Sequence, residues 1–276
     1  MRLLSLVLFL CCLTPVHAQQ EKVELVYVEW SDSIASTHIV SVVLENMGYK
    51  VKTISVSAAV MWQSVASGDA DGFVSAWLPT AHGHYLTAVG HEIEDLGANV
   101  TGTKIGLAVP DYVEIESLTE LKANADKFDG KIIGIDPGAG IMSKTEEMIK
   151  SYQLRRKFDL IEGSDATMVA VLADAIDNQA WVAVTAWTPH WKFNRWSLKY
   201  LQDPKQIYGG EESIHTVVRK GLKQDMPEVY KVLDNFKLDL NDIQTLMSQN
   251  QQQHADPHAN AQRWIEENPD KVNSWK

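Results

Sequence analysis

Residues 72–86, "GFVSAWLPTAHGHYL", and residues 181–193, "WVAVTAWTPHWKF", share the phrase Ala-Trp-x-Pro, at 76–79 and at 186–189. Each phrase closes a short apolar run of strand type, and the proline stops it. Each run also follows a helix-like stretch, "MWQSVASG" from Met61 and "MVAVLADA" from Met168. One unit, helix then strand then Trp-x-Pro, therefore occurs twice. In open α/β sheets ligands sit beyond the carboxyl ends of strands. Trp77 and Trp187 are expected at two strand mouths, one in each half of the chain, as two walls of one cleft.

The pattern extends outward from these units. "VELVYVEW" (23–30) reads as a strand that brings Trp30 to the same sheet edge. Residues 34–48 have helical spacing and stop at Gly48. "TKIGLAVP" (103–110) reads as a strand halted by proline, and "SLTELKANA" opens with a capping box at Ser117 and Glu120. A second strand–helix series follows, and the last third is mostly helical. Strands alternating with crossover helices predict parallel, doubly wound sheets. Two series predict two lobes, 19–109 plus 213–276 and 110–212. Hinges are expected near Val109-Pro110 and in the breaker-rich stretch "DPKQIYGGEE" (203–212).

The amino terminus sets the compartment. Arg2, the apolar run "LLSLVLFLCCL" and the small-x-small site Val16-His17-Ala18 read as a secretory signal peptide over 1–18. Phe9 and Leu10 before Cys11 are the wrong residues for a lipid attachment site. Cys11 and Cys12, the chain's two cysteines, leave with the leader, so neither a disulfide nor a Cys metal site is expected afterwards. The net charge is −11, and loss of Arg2 makes the remainder one unit more negative. Nucleic acid and anionic lipid are therefore poor partners.

Three indoles at strand mouths suit a methylated cation. A quaternary ammonium donates no conventional hydrogen bond, and a ring face attracts it by roughly 2 kcal/mol or more once water is excluded. Micromolar affinity needs about 8 kcal/mol, so the other end of the ligand must also be held. "IDPGAGIMSKTEEM" (135–148) puts a glycine-rich turn at a helix start, where the N–H groups of Gly140 and Ile141 could take a carboxylate. His82, five residues after Trp77, is the second candidate donor, and His84 competes with it. Trp62, Trp181, Trp191, Trp196, Trp264 and Trp275 are expected to pack structurally. His254 and His258 have i, i+4 spacing, but Pro257 breaks the helix that metal ligation would need, and they are expected to be solvated.

The stretches "VEWSDSIAST" (28–37), "SAWLPTAH" (75–82), "DPGAGIMS" (136–143), "TAWTPHWKF" (185–193) and "LKYLQDPKQIYGGEESIHTVVRKG" (198–221) resemble the glycine betaine/proline betaine substrate-binding proteins of ABC importers. The resemblance spans nearly the whole chain after the leader. It implies the two-lobed periplasmic-binding-protein fold, type II-like, with the ligand cleft between the lobes. It also implies a cation cage of Trp30, Trp77 and Trp187 and a carboxylate clamp of His82, Gly140 and Ile141. The expected protein is a periplasmic monomer that takes a betaine to an ABC permease, with no metal or other cofactor. Choline, carnitine or dimethylsulfoniopropionate as ligand, or a secreted sensor uncoupled from transport, are the alternatives. An enzyme is not expected: His190 and Asp136 lack a paired nucleophile, and no G-x-S-x-G, H-E-x-x-H or P-loop occurs.

Overall fold

A computed structural model describes residues 21–276. The expected leader and both cysteines lie outside the described residues. The chain runs β1 (Lys22–Tyr27), α1 (Ser31–Asn46), β2 (Lys50–Ser55), α2 (Ala58–Ser67), β3 (Gly72–Leu78), α3 (Gly83–Val89) and β4 (Ile93–Pro110). A 3₁₀ helix (Leu118–Phe128) leads to β5 (Lys131–Ile133), α4 (Gly140–Ser151), β6 (Asp159–Ile161), α5 (Asp165–Asp177) and β7 (Val184–Thr188). Then come α6 (Lys192–Arg195), β8 (Leu198–Tyr200), β9 (Glu212–Arg219), α7 (Leu222–Asp225), α8 (Pro227–Asn235), α9 (Leu240–Asn250), α10 (Pro257–Glu267) and α11 (Pro269–Trp275).

Every residue of β3 is buried, which is why its sequence reads as a continuous apolar run with no alternation. The same holds for the first four residues of β7. α1 is buried on most of its surface because β2, β3, α9 and α10 all pack against it. Local signals close the elements as the sequence predicts. Gly68 caps α2 with φ of 81°, and the Ser117/Glu120 capping box is formed. That box starts a 3₁₀ helix, not an α-helix. Residues 251–256 form the expected junction between α9 and α10.

The strands follow the order β2-β1-β3-β9-β4-β7-β5-β6, with β8 paired to β4. The β1–β2, β1–β3, β5–β6 and β5–β7 pairings are parallel. β9 runs antiparallel to both β3 and β4, and β4 antiparallel to β7 and β8, so each lobe's sheet is mixed. β4 links the two lobes. Up to Thr103 it pairs with β9, and from Lys104 onward it pairs with β7 and β8. The pairing thus changes partner between Thr103 and Lys104, not after residue 109. Only "TKIGLAVP" is legible as strand because the earlier half carries three register shifts and two glycines at positive φ, Gly97 and Gly102.

Candidate functional site

Three tryptophans reach one cavity from three elements. Trp77 and Trp187 occupy the carboxyl ends of β3 and β7, each followed by a cis proline, Leu78–Pro79 and Thr188–Pro189. Trp30 differs from its expected place: β1 ends at Tyr27, and Trp30 is the N-cap residue of α1. The chain turns at Val28–Trp30, where the Trp30 N–H donates to the Val28 carbonyl at 2.7 Å. The three side chains are buried and line one space of about 300 Å³, including its mouth, together with Ile105 and Ile135. His82, Gly140 and Ile141 line the same space.

Asp32, in the first turn of α1, also lines the cavity and is fully buried. Its Oδ2 accepts the indole N–H of Trp77 at 3.2 Å, and its Oδ1 accepts that of Trp187 at 3.0 Å. Burial raises its carboxyl to about 7, against the lowering effect of its hydrogen bonds, the Trp187 and Trp77 N–H groups included. Sequence reasoning missed this residue, although it stands two places after Trp30 in "EWSD".

His82 is the N-cap residue of α3 and is buried, whereas His84 is exposed and does not line the cavity. The Trp77 N–H donates to His82 Nδ1 at 3.0 Å, so the ring proton sits on Nε2. Nε2 has no partner among the described residues and is the atom available as a donor. Burial pulls the imidazole pKa down to about 3, which keeps this donor neutral. Its loop is pinned by buried Glu212, which accepts the N–H groups of Thr80 at 2.7 Å and Ala81 at 3.1 Å. Glu212 is a second residue that sequence reasoning missed, because it acts from β9 across the sheet.

Gly140 and Ile141 are the first two residues of α4, and their N–H groups have no partner among the described residues. The helix N-terminus adds partial positive charge there. Gly140 is glycine for a physical reason: a Cβ would meet the Ala81 carbonyl oxygen at 2.0 Å. The two lobes thus touch backbone to backbone beside the cavity. Other bonds cross the cleft: Trp30 Nε1 to Asp136 Oδ2 at 2.9 Å, Tyr85 Oη to the Gly138 carbonyl at 2.8 Å, and Ser31 Oγ to Asp165 Oδ2 at 2.6 Å. This is a closed arrangement.

Behind Trp187 lies a buried charged group. His190 takes the Lys192 N–H on Nδ1 at 3.0 Å and meets Asp165 through Nε2 at 2.9 Å, so it donates to that carboxylate. Asp165 is held down to about 2: His190 and Lys192 more than offset its desolvation. The Lys192 ammonium stands 4.1 Å from the Trp187 ring centroid. Burial lowers its pKa to about 7.

The other expectations are mixed. Trp62, Trp264 and Trp275 are core residues, while Trp191 donates to Ser31 Oγ across the cleft at 3.2 Å. His258 is not simply solvated, since Nε2 meets Glu45 at 2.7 Å. As a whole the cavity combines aromatic rings, one buried carboxyl group and neutral N–H donors in its lining. That combination suits a small molecule with an onium head and an anionic tail.

A family model described as the substrate binding domain of ABC-type glycine betaine transport system matches residues 21–267. A Listeria monocytogenes protein, glycine betaine/carnitine transport binding protein GbuC, is 46% identical over 151 residues, which cover 54% of this chain and half of that protein. The glycine betaine/proline betaine-binding periplasmic protein of Salmonella typhimurium is 25% identical, covering 89% of this chain and 86% of that one. Among solved structures, the glycine betaine, L-proline-binding protein ProX of Borrelia burgdorferi superposes with a TM-score of 0.91 at 41% identity, over 92% of this chain and 96% of that one. Lactococcal OpuAC in its closed, glycine betaine-bound form gives 0.88 at 39% identity, over 93% and 99%. An ABC-transporter choline-binding protein gives 0.87 at 27% identity, over 92% and 91%.

Proposed function

This chain belongs to the family of substrate-binding domains of ABC-type glycine betaine transport systems, a family of transport binding proteins, and from that premise we propose that it captures a betaine-type osmolyte and presents it to an ABC permease. Trp30, Trp77 and Trp187 form the cage for the trimethylammonium head. Asp32 supplies the negative field behind two of the rings. His82 Nε2 and the N–H groups of Gly140 and Ile141 hold the carboxylate. The observation that carries the reading is the convergence of these side chains and backbone donors on one cavity.

Capture is a closure between lobes. One half-site, with Trp30, Asp32, Trp77 and His82, lies in the lobe built on β1 to β3 and α8 to α11. The other, with Gly140, Ile141 and Trp187, lies in the lobe built on β5 to β7. We place the hinges where β4 changes partner, between Thr103 and Lys104, and at the start of β9 near Glu212. Closing removes water from the onium, which strengthens its attraction to the ring faces. We read residues 1–18 as the leader that sends the protein to the periplasm.

The test is titration of the purified protein, by tryptophan fluorescence and calorimetry, with glycine betaine, proline betaine, carnitine, dimethylsulfoniopropionate and choline. Saturable binding of a carboxylated onium at micromolar or tighter affinity is expected. A flat response to all five defeats the proposal. Choline is the second reading, favoured by the choline-binding structural relative. Tighter binding of choline than of glycine betaine would establish it instead.

A further inference from the structure

We propose that Lys192 determines specificity in this cavity: its buried ammonium, on the face of Trp187 turned away from the cavity, favours zwitterionic onium ligands over purely cationic ones. The inference rests on reading the cavity as an onium cage. Lys192 is fully buried, and its Nζ has neither a hydrogen-bond partner nor an ion pair among the described residues. Its contact is the indole itself, with the ring centroid at 4.1 Å. Trp187 lines the cavity and Lys192 does not, so the ammonium lies behind the wall. A buried ammonium without a carboxylate partner is costly, and a methionine would fill the same volume without that cost. The titratable groups that face it are Asp32 on α1, Asp165 on α5 and His190 just before α6, whose imidazole is kept neutral by burial.

The consequence follows from Coulomb's law in a site shielded from water. An onium head against the inner face of Trp187 is repelled by a charge on the outer face. A betaine presents a dipole to Lys192, because its carboxylate is attracted while its head is repelled. Choline presents a bare positive charge, and no second term offsets its repulsion. The resident cation therefore penalises choline more than glycine betaine. Asp32, where it is ionised, works in the opposite direction and favours any cation, but below its raised value of about 7 it is mostly protonated and Lys192 dominates.

The experiment is calorimetric titration of the full chain with glycine betaine and with choline at pH 6, where Lys192, lowered to about 7, is mostly protonated. Wild type is compared with Lys192→Met and Lys192→Gln. The expected result is a choline affinity about tenfold higher in both variants, with glycine betaine changed by less than about threefold. A choline-to-betaine ratio equal to that of wild type in either folded variant overturns the inference and leaves the cage reading intact. If neither neutral variant folds, Lys192 is structural and the inference also falls. If wild type binds no onium compound, the failure belongs to the cage reading itself.

Discussion

Trp77 and Trp187, on strands of opposite lobes, donate their indole N–H groups to the two oxygens of one carboxylate, Asp32, at 3.2 and 3.0 Å. The rings are thereby fixed edge-on to a negative charge while other parts of them line the cavity. An indole N–H that donates to an ionised carboxylate makes its ring more electron-rich, which strengthens its attraction for a cation. At pH 8, above the raised value of about 7 where the carboxyl is ionised, Asp32→Asn is expected to lower affinity for every onium ligand about tenfold, whatever the ligand's tail. Unchanged calorimetric affinities would remove Asp32 from the site.

The indoles themselves should carry the larger effect. Trp30→Ala, Trp77→Ala and Trp187→Ala should each weaken binding more than tenfold, about 1.4 kcal/mol or more. Phenylalanine at the same positions should retain part of that affinity, because a smaller ring still offers a face. Alanine variants that bind as wild type does would show that the cage is not the site.

As the proposed carboxylate donor, His82 should separate ligands with a carboxylate from those without. With the Nδ1 lone pair taken by the Trp77 N–H, only Nε2–H is free to donate. His82→Ala should weaken glycine betaine more than tenfold and choline less than threefold, scales that differ by about 1 kcal/mol. Because burial holds its pKa at about 3, His82 stays neutral from pH 5 to 8 and adds no pH dependence of its own there. Equal losses for both ligands would exclude the clamp role.

Gly140 tests closure. The Ala81 carbonyl oxygen lies 2.0 Å from where its Cβ would be, on the opposite lobe, so Gly140→Ala must hold the lobes apart. Affinity should fall at least tenfold. Small-angle scattering with saturating ligand should still give the dimensions of the ligand-free protein.

Stability should follow pH in opposite senses through Asp32 and Lys192. Asp32 is raised from 3.8 to about 7, so its proton stabilises the fold at low pH, and that contribution is lost as pH rises from about 4 through 7. Lys192 is lowered from 10.5 to about 7, so its contribution is full above 10.5 and is lost as pH falls through 7. The melting temperature of Asp32→Asn relative to wild type should therefore climb between pH 4 and 7. That of Lys192→Met relative to wild type should be highest below pH 7 and decline toward pH 10. Melting curves that stay parallel across this range would contradict both assignments.

Much of the candidate site was legible in one dimension because its parts are local. The Ala-Trp-x-Pro phrases lie at strand ends, the glycine turn at a helix start and His82 five residues from its tryptophan. Each is a backbone feature with a sequence signature. Asp32 and Glu212 were not legible, although both are charged and both are buried. A carboxylate in sequence looks solvated until its donors are known, and those donors come from residues 45 and 155 positions away for Asp32, and 132 and 131 away for Glu212. Lys192 was hidden for the same reason.

By itself, then, the sequence determined the class of fold, the alternating elements and the aromatic and glycine positions that mark a cleft, because these depend on periodicity and on turns between near neighbours. Tertiary structure alone decided that β4 serves both lobes, that β9 runs antiparallel to its neighbours, and which buried charges stand behind the indoles. Pairing between distant strands and the desolvation of a charge are properties of what surrounds a residue in space, and the neighbours in the chain do not specify them.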